Sequence, residues 1–97
     1  MCLISFAWQP GTPMPLRLMG NRDEFHARPT APLGEWQDNP AIVGGRDLEA
    51  GGSWLAAKRG GIVAALTNVR DPRLGTPPGA PSRGELVADA LQLFFFF

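Results

Sequence analysis

Apolar positions along the chain fall into short runs, and prolines and glycines separate these runs. Five runs have the length and the residue types of β-strands. They are CLISFAW at 2–8, PLRLMGN at 15–21, AIVGGRD at 41–47, SWLAAKR at 53–59 and GIVAALTN at 61–68. The first two lie on either side of a proline–glycine turn, which predicts a β-hairpin, and two glycines join the last two in the same way.

The segments between these runs are predicted to be loops. Residues 21–40 contain Pro29, Pro32 and Pro40, and residues 69–81 contain four further prolines. Proline lacks the backbone N–H that helices and sheets use, so both segments are expected to lack regular structure.

The C-terminal part has the pattern of a helix. Ser82 and Glu85 have the S-x-x-E spacing of a capping box, in which each side chain satisfies a free backbone N–H at the helix start. The apolar residues that follow fall on one helix face: Leu86, Val87, Ala90, Leu91 and Phe94. Strands followed by one amphipathic helix predict an α+β fold, mainly antiparallel sheet with one C-terminal helix.

Charge and length exclude several classes of function. Nine basic and nine acidic residues balance, and no run of like charges is present, so neither nucleic acid nor an anionic membrane surface is predicted as a partner. No stretch approaches the roughly 20 apolar residues of a membrane span. The N-terminus lacks the basic segment of a signal peptide, and a cytoplasmic protein is expected.

Cys2 is the only cysteine, and two interpretations of it stand side by side. Cysteine is small, apolar and common in protein cores. Removal of Met1 would instead leave Cys2 as the N-terminal residue, with a thiol and a free α-amine together. A free α-amine and a free thiol have similar pKa values, about 8 and 8.5, so the amine can act as base toward the thiol.

The stretch GNRDEF at 20–25 is the main polar cluster. It follows a predicted strand directly, and strand ends commonly display catalytic groups on a rigid scaffold. Antiparallel pairing of the first two strands brings Cys2 beside Gly20–Asp23 by turn geometry alone.

Other candidates are interpreted as structural. His26, the only histidine, is expected at the surface, and one His with one Cys cannot form a metal site. The three tryptophans, Trp8, Trp36 and Trp54, are expected in the core rather than around a ligand pocket. The pair Arg46 and Asp47 either bonds within a turn or serves a site.

Several motifs in order resemble those of the NRDE family, also known as the Transport and Golgi organisation family. They are MCLI, NRDEF followed by RP, GGRD, GGSWLA, GIVAALTNVRDP and SRGELVADAL. The resemblance runs from residue 1 to about residue 91. Family members are considerably longer, so residues 1–97 are predicted to be one partial domain, and the terminal FFFF stands outside the family pattern. Alone, this segment is expected to be inactive and to fold poorly.

The family is similar to the N-terminal-nucleophile hydrolases, which have a four-layer αββα sandwich. This resemblance implies hydrolysis of a C–N amide bond in a small-molecule substrate, with Cys2 as nucleophile after Met1 removal. It also implies that Asp23 orients the α-amine, that Asn68 donates to the oxyanion, and that Arg22 lies by the thiol. We expect Cys2, Asp23 and Asn68 to converge at one edge of the same sheet.

The same resemblance supports a second hypothesis. The family has been linked to haem and to lipid or acyl-CoA handling, so the scaffold could bind or transport without catalysis. No cofactor follows from the residues themselves. The two hypotheses differ in whether they require a free N-terminal Cys2.

Overall fold

The computed structural model describes residues 2–67, 73, 75 and 78–93 of the 97-residue chain. Within them the chain forms six strands and one helix. They are β1 (Leu3–Trp8), β2 (Leu16–Asn21), β3 (Thr30–Glu35), β4 (Ile42–Asp47), β5 (Leu55–Lys58), β6 (Ile62–Ala65) and α1 (Gly84–Leu93). The predicted α+β class, with antiparallel strands and one C-terminal helix, is confirmed.

Strands β1 and β2 form a two-stranded hairpin of their own. They pair antiparallel from Leu3 opposite Asn21 to Trp8 opposite Leu16, as the flanking turn residues predicted. The hairpin is a separate sheet from the other four strands. Most of its apolar side chains are exposed, including Phe6 at 68% and Met19 at 74%.

Strands β3 to β6 form an antiparallel sheet in chain order, and α1 packs on one face of it. We call these five elements the sheet–helix unit. Its core contains five buried apolar residues: Trp36, Ile42, Ala56, Val87 and Leu91. Burial of apolar side chains between the helix and one sheet face is the main favourable term in folding of this unit.

The loop predicted over residues 21–40 is wrong in its second half, because β3 lies there. Pro32 is compatible with this strand for a physical reason. Strand β3 is at the edge of the sheet, and its pairing with β4 shifts register between Ala31 and Gly34. A proline at an edge strand and a bulge costs no ladder hydrogen bond.

The helix begins near the predicted cap, and its buried residues belong to the predicted face, but Leu86 of that face is exposed. Ser82 Oγ accepts a hydrogen bond from the Gly84 backbone N–H at 3.3 Å. Val87 and Leu91 are buried, whereas Leu86 is 67% exposed and points away from the sheet. Phe94 lies outside the described residues. Within the described part of the chain, no helix is long and apolar enough to cross a membrane.

A close backbone contact fixes the start of α1 against the sheet. The Ser53 backbone N–H donates to the Gly84 carbonyl oxygen at 3.2 Å. Gly52 lies so close to Gly84 that a Cβ on Gly52 would collide with the Gly84 backbone. Only glycine at position 52 permits this approach.

Candidate functional site

The hairpin register places Cys2 beside the polar cluster. Leu3 is opposite Asn21, and the Leu3 backbone N–H donates to Asn21 Oδ1 at 3.1 Å. Cys2 immediately precedes β1 and is partly buried, while Arg22 and Asp23 immediately follow β2. The expectation that turn geometry alone brings the thiol to this end of the hairpin is confirmed.

A cavity of about 290 Å³ opens where the hairpin end meets the sheet–helix unit. Its walls come from four parts of the chain. The lining residues are Cys2 from the start of the hairpin, Arg22, Asp23, Glu24 and Arg28 from the loop after it, Asp47, Ser53, Trp54 and Leu66 from the sheet and its turns, and residues 80–84 before and at the helix start. Charged side chains of both signs therefore surround one small volume.

Three contacts hold Arg22 at this cavity. Its Nη1 donates a hydrogen bond to Thr30 Oγ1 at 2.9 Å, at the start of β3. Its guanidinium carbon lies 4.2 Å from the centroid of the Trp54 ring. Its Nη2 is 3.9 Å from Glu24 Oε2. A cation over an indole face is attracted by the ring quadrupole, so Trp54 supports the cation at a fixed place.

The position of Trp54 depends on Gly45 in β4. A Cβ on Gly45 would lie 2.6 Å from Trp54 Cζ2, which is closer than carbon atoms approach each other. The missing side chain lets the indole lie directly on the strand. The second glycine of GGRD therefore makes room for the ring on which Arg22 rests.

Ser53 and Asp47 line the cavity with their hydrogen-bonding groups already engaged. Ser53 is 2% exposed, and its hydroxyl donates to the Gly45 carbonyl oxygen at 2.8 Å. Asp47 is 7% exposed, and Arg28 binds its carboxylate with two nitrogens, Nε and Nη2. These side chains therefore build the cavity wall instead of presenting a free nucleophile.

The contact between Arg28 and Asp47 shifts the pKa of both groups. The hydrogen bonds from Arg28 are the largest effect and hold the pKa of the Asp47 carboxyl below its ordinary value, against the opposing effect of burial. Hydrogen bonds from the Glu49 and Ala50 backbone N–H groups lower this pKa further. The hydrogen bond to Asp47 raises the pKa of Arg28. Both groups are therefore charged near neutral pH, as bidentate pairing requires.

Three of the four predicted site residues, Cys2, Arg22 and Asp23, line the same cavity. Asn68 lies outside the described residues. The expectation of one common sheet is wrong for the strands concerned, because the hairpin and β6 belong to different sheets. Leu66, just after β6, nevertheless lines the cavity, so the end of β6 does reach the hairpin.

The sequence placed Glu24 in the GNRDEF polar cluster without giving it a role, did not identify Arg28 as a site residue, and left Trp54 as a core candidate. Arg28 and Asp47 are 19 residues apart, and only the pairing of β3 with β4 brings them together. The glycines of GGRD indicate close packing on this strand, but they do not identify Trp54 or Arg28 as the residues brought there.

The remaining structural interpretations have mixed outcomes. His26 is exposed, as predicted. Trp36 is in the core, but Trp8 is 62% exposed on the hairpin. Asp47 bonds within its turn, because its Oδ1 accepts from the Glu49 backbone N–H at 3.0 Å, and Arg46 Nε donates to the Gly51 carbonyl oxygen in the same turn.

Comparison with known proteins shows one family. The family profile described as Transport and Golgi organisation 2 matches residues 1–93. The Transport and Golgi organization 2 homolog of Mus musculus is 41% identical over 98 residues, which cover 94% of this chain and 35% of the mouse protein. The Homo sapiens homolog is 40% identical over the same shares. Transport and Golgi organization protein 2 of Drosophila melanogaster is 39% identical over 100 residues, 92% of this chain and 34% of the fly protein.

The chain therefore spans about a third of the length of the curated relatives it matches. No solved structure matches it.

Proposed function

Because the chain belongs to the Transport and Golgi organisation 2 family, we propose that it carries the nucleophile end of an amide-hydrolysing site. Cys2 is the nucleophile after Met1 is removed, and the parent fold is the four-layer sandwich of N-terminal-nucleophile hydrolases. The single observation that carries the proposal is the placement of Cys2, Arg22 and Asp23 around one cavity.

The chemistry assigns one role to each group. The α-amine of Cys2 accepts the thiol proton, and the thiolate attacks the carbonyl carbon of the amide. The tetrahedral intermediate collapses when the C–N bond breaks, and the amine leaves with that proton. A thioester remains, which water hydrolyses to release the acid and restore the thiol.

The neighbouring side chains support these steps. Asp23 orients the α-amine, and Arg22 supplies a positive charge where negative charge develops. Asn68 is proposed as a donor to the oxyanion, and it follows two residues after the cavity-lining Leu66.

The first experiment tests the free N-terminus. Intact-mass measurement of the purified chain should show the loss of one methionine. A mass that retains Met1 would contradict the nucleophile hypothesis, because the α-amine would then be part of a peptide bond.

The second experiment tests hydrolysis in a chimera, because this chain spans only a third of its relatives. Residues 1–93 replace the matched segment of the Mus musculus relative, and acyl p-nitroanilides of short and long chain length serve as substrates. Release of p-nitroaniline should disappear with Cys2→Ala. Equal release by the Cys2→Ala chimera would contradict Cys2 as nucleophile.

An apolar groove supports a second candidate function, binding of an acyl chain or haem. The groove, of about 490 Å³, crosses the sheet face that points away from the core, and Val43, Ala57 and Val63 line it. Leu33 beside it is 78% exposed. Titration with a fatty acid or with haem, followed by tryptophan fluorescence, would detect this function, and Cys2→Ala should leave the affinity unchanged.

A further inference from the structure

Neighbouring residues of β4 form two arginine–aspartate pairs. Arg46 binds Asp38 with both Nη atoms, the Nη2 bond being 3.0 Å, and its guanidinium stacks over Trp36. Asp47 binds Arg28. Successive residues of a strand point to opposite sides of a sheet, so the pairs lie on different sides. Only the Arg28–Asp47 pair lines the cavity that contains Cys2.

The Arg28–Asp47 pair attaches the loop after the hairpin to the sheet. Arg28 Nη2 donates to Asp47 Oδ2 at 2.7 Å, and Nε lies at 3.1 Å from the same oxygen and 3.2 Å from Oδ1. The attachment continues in the backbone, where the Leu48 N–H donates to the Pro29 carbonyl oxygen at 3.0 Å. Asp47 is almost fully buried, so this attachment point belongs to the rigid part of the sheet.

From Arg28 the contacts continue toward the hairpin end. Arg28 Nη1 lies 3.8 Å from Glu24 Oε2, and the same oxygen lies 3.9 Å from Arg22 Nη2. The Arg28 carbonyl oxygen accepts a hydrogen bond from the Thr30 hydroxyl at 3.2 Å, and Thr30 Oγ1 is the acceptor for Arg22. Two routes therefore connect Arg28 to Arg22, one through Glu24 and one through Thr30.

We propose that Arg28 and Asp47 are positioning residues that hold the Arg22 guanidinium at the cavity beside Cys2. The inference rests on the proposed function for its catalytic meaning. The position of the positive charge close to the thiol can be measured whether or not the thiol cleaves amides.

Cys2 is the only thiol of the chain, so alkylation reports on this site alone. We compare the second-order rate constants for iodoacetate, which is an anion, and iodoacetamide, which is neutral. Both reagents react with the thiolate, so the ratio of the two rate constants does not depend on the fraction of the thiol that is ionised. The ratio therefore reports the charge close to the thiol. Arg22→Gln should lower the ratio roughly three- to fivefold, the size of an interaction between unit charges a few ångström apart in water.

Arg28→Lys keeps the positive charge at position 28 but loses the planar fork that binds both carboxylate oxygens. It should lower the ratio by part of the Arg22→Gln effect, because the route through the Arg28 backbone carbonyl and Thr30 is kept. Asp47→Glu is the second variant, because it keeps the negative charge at the cavity but shifts the carboxylate away from its bidentate contact with Arg28, and it should act in the same direction. Arg46→Lys is the matched control, because it weakens the other bidentate pair of β4, and it should leave the ratio unchanged.

Circular dichroism of each variant, at the temperature of alkylation, establishes that the rates belong to folded protein. A wild-type ratio in Arg28→Lys and Asp47→Glu would overturn the proposal, and so would an equal decrease in Arg46→Lys. An unchanged ratio in Arg22→Gln would overturn it as well, since no charge would then lie beside the thiol. If the alkylation ratios are as predicted but the chimera does not hydrolyse amides, the proposed function is rejected and the positioning role remains.

Discussion

The hairpin and the sheet–helix unit differ in how their apolar side chains are covered. In the sheet–helix unit, Ile42 and Leu91 have no exposed surface and pack between the sheet and α1. In the hairpin, Phe6 is 68% exposed and Trp8 is 62% exposed, although both belong to its apolar face. The thiol lies on the weakly covered element, and the residues that fix its surroundings lie on the well-packed one.

This difference shows that folding stability comes mainly from the sheet–helix unit, whereas the thiol of the candidate site lies at the end of the hairpin. Burial of apolar area is the main source of folding free energy, so it is concentrated in the sheet–helix unit. The hairpin touches that unit at one end, where Gly20 lies near Leu55. Substitutions in the two regions are therefore expected to differ strongly in their effect on unfolding.

The largest effect is expected from Leu91→Ala. Removal of a fully buried leucine side chain costs about 2–5 kcal/mol, from lost burial and from the cavity left behind. Leu93 is the matched control, since it is the same residue type on the same helix and is 72% exposed. Urea unfolding of both variants tests the difference. Equal losses would mean that α1 does not pack on the sheet as described.

The next largest effect is expected from Gly52→Ala. The added Cβ would collide with the Gly84 backbone and push the start of α1 from the sheet, a cost of about 1–3 kcal/mol for overpacking. Gly34→Ala is the control, because the nearest atom to its added Cβ is the Pro32 carbonyl oxygen at 4.0 Å. A thermal midpoint for Gly52→Ala equal to that of Gly34→Ala would contradict the close contact.

A third effect depends on pH. The pKa of Asp47 in the folded chain is lowered by its hydrogen bonds from Arg28, so the stabilisation is fully present above the unfolded-state pKa, about 4, and is lost as pH falls through the folded-state value. At pH 7, Asp47→Asn should cost about 1–3 kcal/mol, typical of a hydrogen bond to a charged group. Its thermal midpoint should fall less steeply below about pH 4 than that of the wild type.

Asp38→Asn is the control for that experiment. The pKa of Asp38 is also lowered by a hydrogen bond, from Arg46, but its side chain is 59% exposed. Solvent screens exposed pairs, so a smaller effect is expected. An Asp38→Asn loss as large as that of Asp47→Asn would show that burial does not distinguish the two pairs.

The smallest effect on unfolding is expected in the hairpin. Phe6→Ser should change the free energy of unfolding by no more than about 0.5 kcal/mol, as for other exposed positions. It should reduce self-association in size-exclusion chromatography, because exposed apolar strands template edge pairing. A loss of stability comparable with Leu91→Ala would show that the hairpin face is covered after all.

The sequence predicted most of the fold where patterns are local. The hairpin, the strand pair around Gly60–Gly61 and the helix start at Ser82 each depend on residues close in the chain. Strand β3 was missed because Pro32 argues against a strand unless its edge position is known. Leu86 was wrongly included in the buried helix face with Val87 and Leu91 for a similar reason, since the position of the sheet decides how far around the helix that face extends.

The candidate site likewise has one part that local sequence patterns predict and another part that they do not. Hairpin geometry predicted the closeness of Cys2 to Arg22 and Asp23 from the turn between two adjacent strands. The contact of Arg28 with Asp47 depends on β3–β4 pairing, and the place of Trp54 depends on a missing side chain at Gly45. Neither contact is encoded in a local sequence pattern, so the residues of the cavity wall could be identified only from the structure.

The three tryptophans give the molecule three separate optical reporters. Trp36 is buried, Trp54 is partly buried at the cavity and Trp8 is exposed on the hairpin, so their emission should run from blue to red in that order. A dye attached to the single thiol would lie at the cavity that Trp54 lines. In variants that each retain one tryptophan, energy transfer from Trp54 to that dye would follow the opening of the site, and Trp36 emission would follow the core.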